Sequence, residues 1–328
     1  MQNPKHSIVI PVYNEFEGLP PLAERLKKLA QNLLPDSVEI IFVNDGSNDS
    51  SDKALDALVG GNSIFKVIHL SRNFGHQLAI TAGLERASGS TVSIIDADLQ
   101  DPPELITELI SRWAEGYDVV YAIRRSRLGE TTFKLWTAKL FYRTIRQLTQ
   151  VDIPVDTGDF RLMDRRVVDA FLRLKERHRF VRGMVSWLGF RQTGVHYNRM
   201  ERKFGETHYT LRKMMKFAAD GITSFSSIPL RLATYIGMAS SVVALFVGAW
   251  TLYVKFIAGE AIPGWASVMV VVLFMGGIQL LALGVFGEYL GRAYDEIKGR
   301  PLFLVRRTEG FGREQVAELG RIHESINV

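Results

Sequence analysis

Two aspartates separated by one residue are the side chains in this sequence best suited to chemistry. Asp96 and Asp98 follow a β-rich apolar run and precede two prolines. In an extended segment, residues i and i+2 point to the same side, so the two carboxylates face one space. Unpaired carboxylates repel each other, and a divalent cation relieves that repulsion. Mg²⁺ is typically bound by one or two carboxylates plus substrate phosphates. The alternative is a pair of solvated loop aspartates.

Three more polar segments follow short apolar runs in the same way. They occupy residues 11–15 (PVYNE), 44–47 (NDGS) and 71–76 (SRNFGH). Any turn favours Asn, Asp, Gly and Ser, so each segment alone indicates little. Together with the aspartate pair they predict that polar groups converge on one edge of a sheet.

The elements that must position these segments are short strands alternating with amphipathic helices. Buried strands are predicted at 7–12, 38–43, 65–70, 91–95 and 119–123. Helices are predicted between the first two strands and at 51–58, 77–87, 103–115 and 132–148. This alternation predicts a mainly parallel, doubly wound α/β sheet. In such sheets the ligand binds beyond the carboxyl ends of the strands.

Several other kinds of site are excluded by the sequence. The 328 residues contain no cysteine, which excludes disulfides, thiolate metal sites and cysteine nucleophiles. The dinucleotide fingerprint G-x-G-x-x-G, the P-loop and H-E-x-x-H are also missing. A bound diphosphate would therefore depend on the metal and on cations. The candidates are Arg124, Arg125, Arg127 and the segment 201–209 (ERKFGETHY). The alternative role of that segment is an electrostatic anchor on anionic lipid.

Two long uncharged segments, 232–254 and 266–287, predict a pair of transmembrane helices. Basic residues flank the pair, whereas the linker at 255–265 contains one Lys and one Glu. The positive-inside rule then places both termini in the cytoplasm. The amino terminus has no long apolar stretch, so no signal peptide is expected. Small residues at four-residue spacing fit either packing within the hairpin or a homo-oligomer.

These patterns predict a multi-pass protein of the inner (plasma) membrane with four regions. A cytoplasmic domain spans 1–208, an amphipathic juxtamembrane helix 209–230, two transmembrane helices 231–291 and a cytoplasmic tail 292–328. The juxtamembrane helix either lies in the membrane interface or packs on the cytoplasmic domain. The net charge of +5 is mild, and no nucleic-acid partner is expected.

The polar segments, in this order, resemble those of family 2 glycosyltransferases with a GT-A fold. With DADLQDPPE, GDFRL and ERKFGETHY, they resemble more narrowly the polyprenyl-phosphate glycosyltransferases, which include dolichol-phosphate mannose synthases and bactoprenol glucosyltransferases. The two-span arrangement is most similar to the bactoprenol branch. Processive polysaccharide synthases carry a Q-x-x-R-W block. Here Leu109 stands where that block needs Gln, so transfer of a single sugar is favoured.

The resemblance implies a role for particular residues. Nucleoside contacts are implied for Pro11, Tyr13, Glu15 and Asp45. Binding of Mg²⁺ or Mn²⁺ and of the diphosphate is implied for Asp96, Asp98 and Gln100. The resemblance also implies that the phosphates of the donor or acceptor face Arg127, Arg202 and His208. Relatives often carry Lys in place of His208.

Catalytic roles are implied for Asp159 and Asp98. Asp159 is implied to act as a general base, with orientation of the acceptor or charge balance as the alternatives. The expected reaction is an inverting transfer onto polyprenyl phosphate, with UDP-glucose and undecaprenyl phosphate as the favoured pair. The alternatives are a GDP-mannose or UDP-amino-arabinose donor, or a non-catalytic scaffold that binds a nucleotide-sugar at the membrane.

Overall fold

The computed structural model describes residues 5–125, 157–200, 227–258 and 264–312. These residues belong to two compact units. The first contains the described residues up to 200 together with 300–312, and the second contains those from 227 to 299. The predicted helix at 132–148 and most of the predicted juxtamembrane helix lie outside the described residues.

The first unit is built on a sheet of eight strands among the described residues. In chain order these are β1 (His6–Val12), β2 (Val38–Asn44), β3 (Phe65–Leu70), β4 (Thr91–Ile94), β5 (Val119–Arg124), β6 (Thr157–Asp164), β7 (Gln192–Tyr197) and β8 (Val305–Glu309). Their spatial order is β7-β5-β6-β4-β1-β2-β3-β8. The five strands predicted from the sequence are confirmed.

Six helices accompany this sheet in the described part of the first unit. They are α1 (Leu19–Asn32), α2 (Ser51–Gly61), α3 (His76–Arg86), α4 (Leu105–Ala114), α5 (Arg165–Leu172) and α6 (Val181–Trp187). A short 3₁₀ turn at Phe16–Gly18 precedes α1.

The centre of the sheet is parallel and its flanks are mixed. Strands β4, β1, β2 and β3 pair in parallel, as the alternation of strands and helices predicts. The sequence pattern did not predict β6, β7 and β8. Strand β6 runs antiparallel to both β4 and β5, β7 runs parallel to β5, and β8 runs antiparallel to β3.

The central strands are apolar because helices cover the sheet. Every residue of β1 is buried, which is the pattern of a strand covered on both faces. Helix α1 packs its buried leucines into the same core. Helix α3 approaches β1 very closely, since a Cβ on Gly83 would lie 2.2 Å from Cγ1 of Val9. A larger residue at this position would push α3 away from the sheet.

A buried charge network joins strands near the edge opposite their carboxyl ends. Glu39 near the start of β2 accepts hydrogen bonds from Lys66 Nζ (2.6 Å), Ser7 Oγ (2.6 Å) and the Ser88 backbone and hydroxyl (2.7 and 2.8 Å). Burial favours the neutral acid, but the hydrogen bonds from Lys66, Ser7 and Ser88 outweigh it and lower the pKa of Glu39. The network therefore stabilises the fold only while Glu39 is ionised.

Glu39→Gln is expected to destabilise the protein by about 3 kcal/mol, because it leaves the ammonium of Lys66 without its buried partner. Because the folded pKa of Glu39 lies below its unfolded value of about 4.3, the difference from wild type is fully present above that pH. It shrinks as the pH falls through the folded pKa. Thermal unfolding of the detergent-solubilised protein at several pH values measures both effects.

The exposed Glu24, paired with Lys27 on the surface of α1, provides the control. Glu24→Gln is expected to leave the melting temperature unchanged. Equal melting temperatures for Glu39→Gln and wild type at neutral pH would contradict the structural role of the network.

The second unit contains two long apolar helices, α7 (Ile228–Tyr253) and α8 (Trp265–Ile297), with a π-helical turn at Val254–Ala258 between them. The two helices contact each other, and both are long and apolar enough to cross a membrane. The predicted spans at 232–254 and 266–287 fall within these helices, apart from one residue of the π-helical turn. After α8 the chain returns to the first unit and forms β8. Strand β8 lies in the region 292–328, which the sequence predicts to be a tail.

Candidate active site

The four polar segments lie along one edge of the sheet because of its strand order. Strands β4, β1, β2 and β3 are parallel neighbours, so their carboxyl ends lie side by side. In that order, DAD, PVYNE, NDGS and SRNFGH lie at or directly after these carboxyl ends. The prediction that these segments converge is confirmed.

A tight turn fixes the backbone around Asp98. Leu99 adopts a positive φ of 59°, and the backbone N–H of Gln100 donates to Asp98 Oδ1 at 3.1 Å. Gln100 is tied to Met200 by a backbone hydrogen bond of 2.9 Å and by its side-chain nitrogen at 3.4 Å. The side chain of Gln100 is therefore engaged by the chain itself, and its role as a metal ligand stays a prediction.

The carboxylates of Asp96 and Asp98 fit a divalent cation. Oδ1 of Asp96 is buried and has no hydrogen-bond partner among the described residues. Burial, together with the carboxylates of Asp101, Asp159 and Asp98, raises the pKa of Asp96 to about 6 despite the opposing charge of His76. An unsatisfied, electrostatically crowded carboxylate is stabilised by a cation.

The described residues contain no group of three or more His, Cys, Asp and Glu arranged to hold a metal by themselves. Two carboxylates completed by substrate phosphates are the arrangement that Mg²⁺ commonly takes.

Asp159 reaches the same edge because β6 runs antiparallel to β4. Its first residues lie beside the carboxyl end of β4, where Ile94 pairs with Arg161. The Asp159 carboxylate is buried and accepts three hydrogen bonds. Arg182 Nε donates to Oδ1 at 2.9 Å, and His76 Nε2 and Gln77 Nε2 donate to Oδ2 at 3.1 and 3.0 Å.

These contacts weaken Asp159 as a proton acceptor. Burial favours its neutral form, but Arg182 and His76 outweigh this and hold the pKa of Asp159 well below its usual range. A general base works best with a pKa near the operating pH. The geometry thus favours the alternative in which Asp159 orients groups and balances charge.

Sequence reasoning gave no role to His76, Gln77 or Arg182. His76 is the first residue of α3, and its side chain is 44% exposed. Burial lowers the pKa of His76, but the Asp159 and Asp96 carboxylates outweigh it and raise the pKa to about 9. The only sequence signal for a role of His76 was its place at the end of the polar SRNFGH segment. Its partner Asp159 is 83 residues away in the chain, and no local pattern links the two.

The residues predicted to contact the nucleoside lie at the ends of β1 and β2. Pro11 is buried within β1, and Tyr13 beyond its end is 40% exposed, whereas Glu15 is partly buried. Asp45 is buried, and its two oxygens accept hydrogen bonds from the backbone N–H groups of Phe74 (2.7 Å) and Gly75 (2.9 Å). Asp45 thus shapes the loop before α3, and its contact with a nucleoside stays a prediction.

A second network of hydrogen bonds and ion pairs lies beside the turn at Asp98. The Tyr197 hydroxyl donates to Asp101 Oδ1, and Arg124 Nε donates to the same hydroxyl at 3.3 Å. Arg199 lies between two carboxylates, with Nη2 3.7 Å from Asp98 Oδ2 and Nε 3.6 Å from Asp101 Oδ1. Of the predicted cations, Arg124 is therefore part of the network. Arg127, Arg202 and His208 lie outside the described residues.

Comparison with known proteins identifies the family. The model for Glycosyl transferase family 2 matches residues 7–172. The chain belongs to this family. The match includes Asp45, Asp96, Asp98 and Asp159 but ends before Arg182 and Tyr197. This family 2 glycosyltransferase has a GT-A fold followed by two apolar helices.

Its relatives match along almost their whole length. "Uncharacterized glycosyltransferase YkcC" of Bacillus subtilis is 51% identical over 95% of this chain and 96% of its own. "Bactoprenol glucosyl transferase" of Shigella phage SfII is 40% identical over 93% of this chain and 98% of its own. Among solved structures, S. aureus TarS 1–349 in complex with UDP-GlcNAc has a TM-score of 0.45 and 16% identity, covering 67% of each chain.

Asp96→Asn is expected to weaken Mn²⁺ binding by about tenfold or more, since even outer partners of metal ligands contribute on this scale. The fold should be retained, because the change removes a crowded buried charge. Titration calorimetry with Mn²⁺ and UDP measures the affinity. The exposed Asp169 on α5 supplies the control variant Asp169→Asn. Equal Mn²⁺ affinity in Asp96→Asn and wild type would contradict a metal site at this aspartate pair.

Proposed function

We propose that this family 2 glycosyltransferase moves one sugar from a nucleotide-sugar onto a polyprenyl phosphate at the cytoplasmic face of the membrane, with inversion at the sugar carbon. UDP-glucose and undecaprenyl phosphate are the favoured pair. The observation that carries the proposal is the buried, unsatisfied Oδ1 of Asp96 in the Asp96–Asp98 pair. The same chain has two helices long enough to cross a membrane. Its relatives include proteins named bactoprenol glucosyl transferase.

Asp96 and Asp98 would hold the divalent cation, Mg²⁺ or Mn²⁺. When bound, the cation supplies Lewis-acid stabilisation of the departing nucleoside diphosphate. The chain's own contribution is to fix the carboxylate of Asp98. Asp98 is fixed by the N–H of Gln100, and residues 98–100 are fixed by the contacts of Gln100 with Met200.

The acceptor needs little activation. A phosphate monoester has a second pKa of about 6, so its oxygens are largely ionised at neutral pH. One of these oxygens attacks the anomeric carbon from the side opposite the diphosphate. The bond from that carbon to the diphosphate breaks, and the diphosphate leaves with the electron pair. The attacking phosphate oxygen therefore needs no general base. This agrees with an Asp159 carboxylate whose oxygens already accept hydrogen bonds from the chain.

The charged groups around Asp159 can stabilise the phosphates during transfer. His76 and Arg182 both contact the Asp159 carboxylate, so their positions are fixed before a substrate arrives. Preorganised charge of this kind stabilises a transition state without a reorganisation cost. Asp159 would thus balance two cationic side chains beside the reacting phosphates.

The membrane region would bring the lipid acceptor to this site. Helices α7 and α8 would anchor the enzyme in the inner (plasma) membrane, with the catalytic domain and both termini in the cytoplasm. The basic segment at 201–209 and the amphipathic segment at 209–230 would present the lipid phosphate, with Arg202 and His208 facing it. Arg127 would face the donor or acceptor phosphates.

Transfer of labelled sugar into an organic-extractable lipid tests the function. Full-length purified protein is incubated with undecaprenyl phosphate, Mg²⁺ or Mn²⁺ and a panel of UDP- and GDP-sugars. Label from one donor is expected, and chelator should abolish it. Asp98→Ala should lower the rate about 100-fold or more, the scale on which loss of transition-state stabilisation acts.

Asp169→Ala, on the exposed face of α5, serves as the matched control and should transfer sugar at the wild-type rate. Absence of lipid-linked label from every donor, with nucleotide binding intact, would overturn the proposal in favour of a non-catalytic scaffold.

A further inference from the structure

We propose that His76 is a positioning residue for sugar transfer, which links the metal-binding carboxylate of Asp96 to the buried carboxylate of Asp159. The inference rests on the proposed function and gives His76 a role beyond its charge, namely to set the positions of the two carboxylates. It assigns to α3 a direct part in the geometry of the active site.

The distances around the imidazole carry the proposal. Nε2 of His76 lies 3.1 Å from Asp159 Oδ2 and 3.5 Å from Asp96 Oδ1. Because a carboxylate can only accept, Nε2 carries the hydrogen, and this single N–H donates to the nearer oxygen, Asp159 Oδ2. Oδ1 of Asp96 is therefore contacted by His76 and yet keeps no hydrogen-bond partner among the described residues. His76 sets the separation of the two carboxylates and leaves the Asp96 oxygen available to a cation.

The backbone before His76 is anchored independently of any substrate. Gly75 has a φ of 103°, which a residue with a side chain rarely adopts, and this conformation begins α3. Asp45 on the loop after β2 accepts the N–H groups of Phe74 and Gly75. The position of the imidazole thus depends on the loop after β2 as well as on α3. The structural role of the buried Asp45 is to hold the backbone before His76.

The residue after His76 extends the same anchoring to α6. The side-chain nitrogen of Gln77 donates to Asp159 Oδ2 at 3.0 Å, and its oxygen accepts the backbone N–H of Val181 at 2.8 Å. Two consecutive side chains of α3 therefore contact one carboxylate. This arrangement limits how far Asp159 and His76 can move apart.

His76 is not required to complete the core. Its side chain is 44% exposed, whereas Asp159 is 5% exposed and the core residues of α3 are fully buried. Replacing His76 therefore leaves the packing of the core intact, and Gln77 and Arg182 still donate to the buried Asp159 carboxylate. A kinetic test of His76 variants can therefore report on the site and not on the packing of the core.

The first measurement is the kinetics of His76→Ala in the transfer assay. We expect kcat to fall about 100-fold, the scale of a 1 Å misplacement in a site, and the donor KM to stay within about twofold of wild type. His76→Gln keeps an N–H donor of similar reach and should recover kcat to within about tenfold of wild type. His196→Gln, at an exposed position of β7, is the matched control and should behave as wild type.

The second measurement is Mn²⁺ binding to the full-length protein with UDP, followed by electron paramagnetic resonance. His76→Ala should bind Mn²⁺ about as tightly as wild type, because Asp96 Oδ1 receives no hydrogen bond from His76 that the substitution could remove. A kcat within twofold of wild type in His76→Ala would overturn the proposal. So would a rise in donor KM and weaker Mn²⁺ binding alongside the loss of kcat, since these indicate general disruption of the site.

The failures of the two proposals are distinguishable. If wild type transfers no sugar, the proposed function fails and the positioning role fails with it. If wild type transfers sugar and His76→Ala does so with the wild-type kcat, only the positioning role fails. If His76→Ala does not fold, His76→Asn replaces it in both measurements, because its shorter side chain cannot contact both carboxylates.

Discussion

The buried carboxylate of Asp159 is the constraint on which the arrangement of the active site depends. An ionised carboxylate away from water costs several kcal/mol unless partners compensate it. Here the partners come from two helices, with His76 and Gln77 on α3 and Arg182 on α6. Because the charge on β6 must be satisfied, these three elements are fixed relative to one another. The same requirement places the imidazole of His76 beside Asp96.

The strand order explains why this carboxylate lies next to the aspartate pair. Parallel strands β4 and β1 end at one edge, and the antiparallel β6 begins there. Asp96, just after β4, and Asp159, near the start of β6, therefore both lie within reach of His76 although their strands run in opposite directions. Burial, followed by the charges of the neighbouring carboxylates that this arrangement brings near, raises the pKa of Asp96 to about 6. The unpartnered oxygen of Asp96 beside Asp98 is suited to a divalent cation, and a bound cation would in turn attract a diphosphate.

The contacts of the site also change the interpretation of two predicted residues. Asp45 and Asp159 are both aspartates that the family resemblance places in the site. In the structure each uses both of its oxygens to accept hydrogen bonds from the chain, Asp45 from a loop and Asp159 from side chains. Their residue type was informative, but the sequence contained no signal that their oxygens were engaged.

The sequence by itself determined the features that depend on local pattern. Strands β1 to β5 and the two apolar helices follow from runs and periodicities of neighbouring residues, and the Asp96–Asp98 pair follows from the two-residue period of extended chain. The tertiary structure decided the rest. It placed His76 against Asp159, 83 residues away, and Arg182 against the same carboxylate, and it returned the chain after α8 to the edge of the sheet as β8. These contacts join residues distant in the chain, and they form because antiparallel pairing and a buried charge select their partners in space.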